Sequence, residues 1–344
     1  MTEAHVTMFK INSRALIISA MLAAMMTPVT FGQQNAEPKE EKSAVTKETS
    51  SEAKKEKENE KKAINNPEET TKSSPFVFAR ESRSNPAALS SGTSRQETLQ
   101  EDPAALAKKL SNPVSSLISL PFQSNFDFGM GPNGNGFRHT LNIQPVIPIT
   151  LTKDWNLISR TIIPVIAQHN VVASGSSEAG LGDITQAFFF SPNKTEPVIW
   201  AIGPQLMIPT ATNKFLGSKK LSVGPTFLIL KQTGPWSVGS LVGHFWSVAG
   251  SDSRPPVSIT NFQPFVSCST KSAWTYTFNA ESTYDWKAKQ WNVPLHFVVA
   301  KLVRFGKQPV SIGGSLRCWV SSGPTGPEGC GFRLIVTPLF PRKG

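Results

Sequence analysis

The 344-residue chain has only three cysteines, Cys268, Cys318 and Cys330. No two of them have CxxC spacing, so a zinc or dithiol redox motif is absent. No apolar run reaches the ~20 residues that a membrane-spanning helix needs, which excludes a helical membrane protein. GxSxG, HExxH and paired-acid signatures are missing too. None of His139, His169, His244 and His296 has a serine two residues away on the same strand face, so no nucleophile–base pair shows along one strand. No catalytic residue, metal ligand or cofactor is expected on these grounds. Charge is also unevenly supplied. Residues 1–112 hold 16 Lys/Arg and 15 Asp/Glu, whereas 113–344 hold 19 and 9, so nearly all of the net +11 falls on the second part. Those basic residues are scattered rather than gathered into a stripe, and no nucleic-acid motif accompanies them, so nucleic acid is not an expected partner.

Turn formers are plentiful, with Gly 24 and Pro 27, and helix-forming runs are few after residue 112. That points to a β-rich chain. The clearest stretch is AWTYTFNAESTYDW over 273–286. Trp274, Tyr276, Phe278, Ala280, Ser282 and Tyr284 occupy one face of a strand; Thr275, Thr277, Asn279, Glu281, Thr283 and Asp285 occupy the other. A soluble sandwich with the apolar side inward fits that single stretch. So does a membrane barrel with the apolar side toward lipid and the polar side toward a wet lumen.

Similar alternation begins near Leu117 and continues to Phe340. Phe122, Phe126 and Phe128 alternate with Gln123, Asn125 and Asp127. Leu141, Ile143, Ile147 and Ile149 face away from Arg138, Thr140, Asn142 and Gln144. The segments near 182–191 and 198–208 are less clean. About twelve strands result, each near or slightly above the ~9–11 residues that cross a bilayer at a tilt. The links at 129–136, 169–180, 209–220, 248–256, 285–290 and 321–331 are on the whole longer than those at 150–154, 192–197, 231–235, 270–272 and 304–309. Alternating long and short links with an even strand count favour a barrel over a sandwich. Trp155, Trp200, Trp236, Trp246, Trp274, Tyr284, Trp286, Trp291 and Trp319 collect near strand ends, as interfacial aromatics do. The fold class is therefore all-β: a single antiparallel transmembrane β-barrel of about twelve strands over 113–344.

Ahead of it, residues 1–32 read as a secretory signal. Lys10 and Arg14 are the positive region, 15–26 is an apolar core, and Thr30 and Gly32 are small residues at a cleavage site. Residues 33–112 read as a Glu/Lys-rich periplasmic linker with too little apolar surface to order itself. Its one structured piece is a short helix at 103–110, with Asp102 as N-cap and Pro103 at the first helical position. This helix folds against the barrel mouth or is a solvated turn; both readings stand. Cys318 and Cys330 flank a Gly/Pro-rich loop and could meet across a hairpin as a disulfide in an exported protein. Three free thiols are the equal alternative.

Several blocks carry a resemblance: LISLPFQSNFDFG (117–129), NIQPVIPI (142–149), DWNLISRTIIPVI (154–166), 180–184 with 188–192, 234–236, ESTYDW (281–286), the GPEG loop (326–329), and 339–341. Together they resemble the outer-membrane transporter-like barrels grouped with the phenol meta-pathway degradation proteins, over the whole of 113–342. The resemblance implies an exported, porin-like barrel in a Gram-negative outer membrane that passes or binds small, often aromatic or otherwise hydrophobic, solutes. Its partners would be outer-membrane lipid, the insertion machinery and an unidentified solute. Cys318 and Cys330 stand where aromatic residues are expected in relatives, so a disulfide there would be particular to this chain.

Strand parity assigns twelve residues to the lumen: Gln123, Asn125, Asp127, Arg138, Asn142, Gln144, Arg160, Gln263, Asn279, Glu281, Arg317 and Arg333. Ionisable groups in a membrane structure are costly unless paired or wet, so an inward orientation follows. Arg138, Arg160, Arg317 and Arg333 are expected to pair with Asp127, Asp183 and Glu281. These pairs either fill the tube or select the solute. Twelve strands lie between a filled interior and an open channel, and the arginine excess would favour anions in an open tube. The function expected is a transporter or channel for small solutes. A plugged structural or adhesive barrel and a lipid-modifying enzyme are the alternatives.

Overall fold

In the computed structural model, residues 102–193 and 197–340 are described. The expected signal at 1–32 and all of the linker before residue 102 lie outside them. One helix, α1 (Pro103–Leu110), precedes sixteen strands. Several of these are collinear pieces of one pass across the barrel. β1 (Ile118–Ser119) with β2 (Phe122–Met130) is the first pass, and β3 (Gly136–Ile143) with β4 (Val146–Thr150) the second. β5 (Trp155–His169) is the third, β6 (Ser177–Leu181) with β7 (Ile184–Pro192) the fourth, and β8 (Val198–Ile208) the fifth. β9 (Lys220–Thr233), β10 (Trp236–Gly250) and β11 (Ser258–Ser269) follow. β12 (Trp274–Ala280) with β13 (Ser282–Asp285), then β14 (Gln290–Phe305), β15 (Gln308–Ser321) and β16 (Cys330–Phe340), complete twelve passes.

Every neighbouring pair is antiparallel, and the last pass returns to the first. β16 pairs with β2 from Phe332↔Phe126 to Val336↔Phe122 and with β1 at Ile118↔Phe340. The sheet is thus a closed barrel with no free edge, the condition for lodging strands in hydrocarbon. All four interruptions are bridged by a proline carbonyl. Leu120 donates to the Pro338 carbonyl, Gln144 to that of Pro121, and Thr161 to that of Pro145. Gly182 donates to Pro164 and Glu281 to Pro294 in the same way. Proline has no amide to give, so its carbonyl keeps the ladder continuous where its nitrogen cannot.

The faces divide as the alternation requires. Across β10, β11, β12 and β14 the register aligns Val242, Phe262, Tyr276, Phe278 and Phe297 on the outside. Phe278 is 50% exposed and Leu316 57%. Among the described residues no second layer covers them. Asn279 and His296 share the opposite, inner face. The long link 209–219 is tied back to the barrel by Asp183, which accepts hydrogen bonds from the Ala211 and Ser218 amides and the Ser218 hydroxyl.

Outward aromatics form two girdles. Trp155, Trp200, Trp236 and Trp274 lie toward the short-turn end, and Trp155 meets Trp200 edge-on at 5.9 Å. Trp246, Tyr284, Trp286 and Trp291 lie toward the long-loop end, where Tyr284 packs 4.9 Å from both Trp286 and Trp291. Trp319 is the exception to the expected belt. It shares the inner face with Arg317 and donates its indole N–H to Asp127 at 3.0 Å. An indole turned inward keeps its polar edge satisfied, which hydrocarbon could not do. Cys318 and Cys330, directly opposite in the β15–β16 ladder, form a disulfide, and Cys268 is free.

Phe278 lies near mid-height of its strand. Phe278→Arg should therefore cost about 2–4 kcal/mol of folding stability, against little for an arginine on the lumen face at Thr277. Denaturant titration of the two variants folded into lipid vesicles checks this.

Candidate functional site: a two-sided lumen closed by a helix

All twelve residues assigned to the lumen lie on the inner face, and nine of them fall into networks. The Arg333 guanidinium grips Glu281 with two parallel hydrogen bonds, 2.7 Å each, and its Nε donates to Asn125. Arg317 donates to Asp127 at 2.9 Å and stacks over the Trp319 ring at 4.6 Å. Fork-to-carboxylate bonds of this kind are the strong, geometrically specific ones. His296 is wholly buried beside them, its Nε2 3.6 Å from Glu281 and neither ring nitrogen hydrogen-bonded.

Two of the expected ion pairs are not made. Arg138 is opposite Asp127 in the β2–β3 register, yet that carboxylate is already held by Arg317 and Trp319. Arg138 turns instead to Gln168, its opposite on β5, at 2.9 Å; Gln168 passes a hydrogen bond on to Glu178. Arg160 is opposite Val146, and among the described residues no acid is within salt-bridge distance of it. It donates to Gln144 at 3.1 Å, and Gln144 to Gln123 at 2.9 Å. Asp183, the third acid expected in these pairs, anchors the 209–219 loop. Asn142 sits on the inner face between Gln123 and Pro164. Gln263 and Asn279 line cavities without joining a network.

The charged lumen residues occupy one arc of the wall, from β12 through β16 and β3 to β5 and β6. The other arc is apolar. Ile158, Phe189, Ala201, Leu228 and Leu241, on β5, β7, β8, β9 and β10, form one buried cluster with Val114. Their inward orientation was not legible from alternation, because the same strands are apolar on the outside as well.

Val114 belongs to the segment that follows α1, and α1 closes the short-turn mouth. Leu106, Ala107 and Leu117 pack with Ala273, Leu302 and Leu339, all of which lie near the short turns or the C-terminal end of β16. The far end of the helix is pinned to the wall. Gln232 donates to the Lys108 carbonyl at 3.2 Å and to Ser237 at 2.8 Å, and the Ser111 and Ser237 hydroxyls are 2.8 Å apart. Asn112 then turns the chain by accepting from the Val114 amide at 3.0 Å. The plug thus touches the aliphatic wall on both sides of the barrel.

Two cavities lie along the tube. One, about 300 Å³, is beneath the plug and reaches Gln123, Asn279, Glu281 and Arg333. The second, about 310 Å³, lies toward the long-loop side between Phe189, Met207, Phe245 and Ile259. Arg160, Leu241 and Gln263 border both and form the neck between them.

No family model matches the sequence, and neither does any curated protein. Among solved structures, the chain is similar to the crystal structure of an outer membrane channel from Pseudomonas putida F1. The TM-score is 0.52 at 13% identity, over 65% of this chain and 94% of that one. The barrel fold is shared with an outer-membrane channel. At that identity the likeness is one of fold, and the chemistry of the lumen must be argued from its own residues.

Three of the histidines, His139, His169 and His244, meet serines across strands, which spacing along one strand could not reveal. Ser124 and His139, on adjacent strands, hydrogen-bond on the outer face under Phe126, whose ring stacks on His139 at 4.7 Å and on Phe332 at 4.3 Å. Ser124 is 1% exposed, so its hydroxyl is not presented to a lipid ester. His244 also faces outward and bonds the Thr260 hydroxyl at 2.8 Å, and His169 bonds Ser177 at 2.7 Å.

The Arg333–Glu281 pair gives a direct test. Glu281→Gln leaves the buried Arg333 guanidinium without its carboxylate and should cost about 3–5 kcal/mol, whereas the Arg333→Met, Glu281→Gln double variant should regain most of that loss. A double-mutant cycle by denaturant titration measures both.

Proposed function

We propose that the protein is an outer-membrane channel or transporter for small solutes, held closed at its short-turn mouth by α1 and the segment that follows. The observation that carries this reading is the lumen itself: two cavities joined at a neck inside a closed barrel with an apolar exterior. A barrel whose only role was structural would gain by filling that interior, since each void forfeits packing energy. The location we assign is the outer membrane of a Gram-negative cell, reached through export and the outer-membrane insertion machinery. The apolar belt and the two aromatic girdles support it. The sequence blocks quoted above support kinship with the barrels grouped with the phenol meta-pathway proteins, and with it a small hydrophobic or aromatic solute. We assign the protein no catalytic activity and no cofactor.

The plug favours a second reading, a permanently closed structural or adhesive barrel. The two differ in how firmly the plug is seated. It buries Leu106, Val114 and Leu117, at about 1.5–3 kcal/mol for each side chain. That is within reach of a conformational gate and far below the stability of the strand ladders. In planar bilayers, the chain lacking residues 1–112 and a Leu106→Asp, Val114→Asp variant should each conduct more than the full chain. Absence of conductance and of solute flux in all three would remove the channel reading and leave the closed barrel.

A further inference from the structure

The four lumen arginines are not equivalent. Arg317 and Arg333 are neutralised by Asp127 and Glu281 at hydrogen-bonding distance. Arg138 reaches Glu178 through Gln168. Arg160 makes a single hydrogen bond, to the neutral amide of Gln144, and among the described residues has no carboxylate within salt-bridge distance. It is also the arginine that stands at the neck and borders both cavities. Across that neck, Gln263 borders both cavities as well, and its amide has no hydrogen-bond partner among the described residues.

A guanidinium carries five donors in a planar fork suited to a carboxylate. With one donor committed to Gln144, a face of the fork remains for a ligand. The surroundings decide what kind. On the long-loop side most of the exposed cavity wall is apolar, from Phe189, Met207, Leu241, Phe245 and Ile259, with Gln205, Asn261, Thr226 and Thr283 set among them. At about 310 Å³ it lies at the lower end of the ~300–1,000 Å³ typical of small-molecule pockets, so the body it accepts is compact. Two aromatic and three aliphatic side chains favour a flat or short hydrocarbon body. Glu281 acts on Arg160 only at a distance, because both its oxygens are held by Arg333, so the open fork matches one further negative charge. A dianion such as phosphate would bring a second charge into an apolar cavity with nothing to balance it.

We propose that the neck binds the carboxylate of a small amphipathic acid, through the Arg160 fork and the Gln263 amide, with the hydrocarbon body lodged in the apolar cavity on the long-loop side. Such an acid meets this site on its way in from the long-loop mouth, ahead of the plug. The proposal deepens the channel reading by naming the solute class, and rests on that reading only for the route by which the acid would pass.

The test uses the full chain folded in detergent and three probes: benzoate, its neutral isostere benzamide, and acetate, which has the charge without the ring. Calorimetry or saturation-transfer NMR reads the affinities. Benzoate should bind roughly tenfold or more tighter than either comparator, the margin that a hydrogen bond to a charged group supplies. Arg160→Met should abolish the preference for benzoate over benzamide while leaving benzamide binding in place. Gln263→Leu should weaken benzoate less. Equal binding of benzoate and benzamide to the unaltered chain would overturn the proposal without recourse to any variant, as would an undiminished preference in a folded Arg160→Met. Vesicle flux separates this from the channel reading. Flux without benzoate preference sinks the site and spares the channel, and benzoate-selective binding without flux does the reverse.

Discussion

The constraint on which the rest depends is that a backbone in hydrocarbon cannot leave its N–H and C=O groups unpaired. It is met at one seam. β16 meets β2 over Phe332–Val336 and β1 at Phe340 and Leu339, and with those rungs the sheet has no edge. The seam runs through Pro121 and Pro338, residues that would elsewhere end a ladder. Their carbonyls accept from Gln144 and Leu120, so the breaks remain satisfied. A barrel built this way tolerates proline wherever a neighbouring amide can be redirected. It also explains why twelve passes divide into sixteen strands without opening the wall.

Apart from Lys231 and Lys301, which lie outward near the short-turn girdle, the charges at mid-height of the wall point inward, and the lumen must then deal with them. The structure concentrates them on one arc. Asp127 is the centre of competition there: Arg138 faces it in register, Arg317 and Trp319 hold it, and Arg138 is displaced to Gln168. That displacement uses up the acid on one side of the lumen. Glu281 is consumed in turn by Arg333. Arg160, on the boundary with the apolar arc, has no acid left to take. The unequal arginines follow from a shortage of carboxylates, already visible in the nine acids against nineteen bases of residues 113–344.

How much of this could be read in the sequence depends on which arc is considered. From β10 to β16 and in β2 and β3, a polar inner face opposes an apolar outer one, and period-two alternation shows through. There Tyr276, Phe278, Asn279 and Glu281 lie where parity puts them. On β7, β8 and β9 both faces are apolar. Phe188-Phe189-Phe190 and Phe227-Leu228-Ile229-Leu230 read as continuous runs, and nothing in a run says that Phe189 and Leu228 point inward. The apolar arc was hidden for that reason. Trp319 was misplaced because an aromatic near a strand end suits the interface as well as the lumen, and only the partner Asp127, far away in sequence, distinguishes them. Ser124 and His139 are fifteen residues apart, so spacing along one strand could not bring them together.

The helix at 103–110 was legible from Asp102 and Pro103, but its seat in the barrel was not, and its physics explains both that and its use. Eight residues are too few to hold a helix alone. α1 exists because Leu106 and Ala107 find Ala273, Leu302 and Leu339, and because Gln232 and Ser237 bind its last turn. These partners are more than a hundred residues away and invisible to local propensity. The barrel has a continuous ladder on both sides of every pass, while the plug has a few side chains and a handful of hydrogen bonds. Elements with few buried contacts are those that open first. The structure therefore joins a wall that cannot open without exposing backbone to lipid to a stopper that can leave at the cost of a few buried side chains. If the protein is the channel proposed above, a change in solute access falls on residues 103–117 before it falls on the strands.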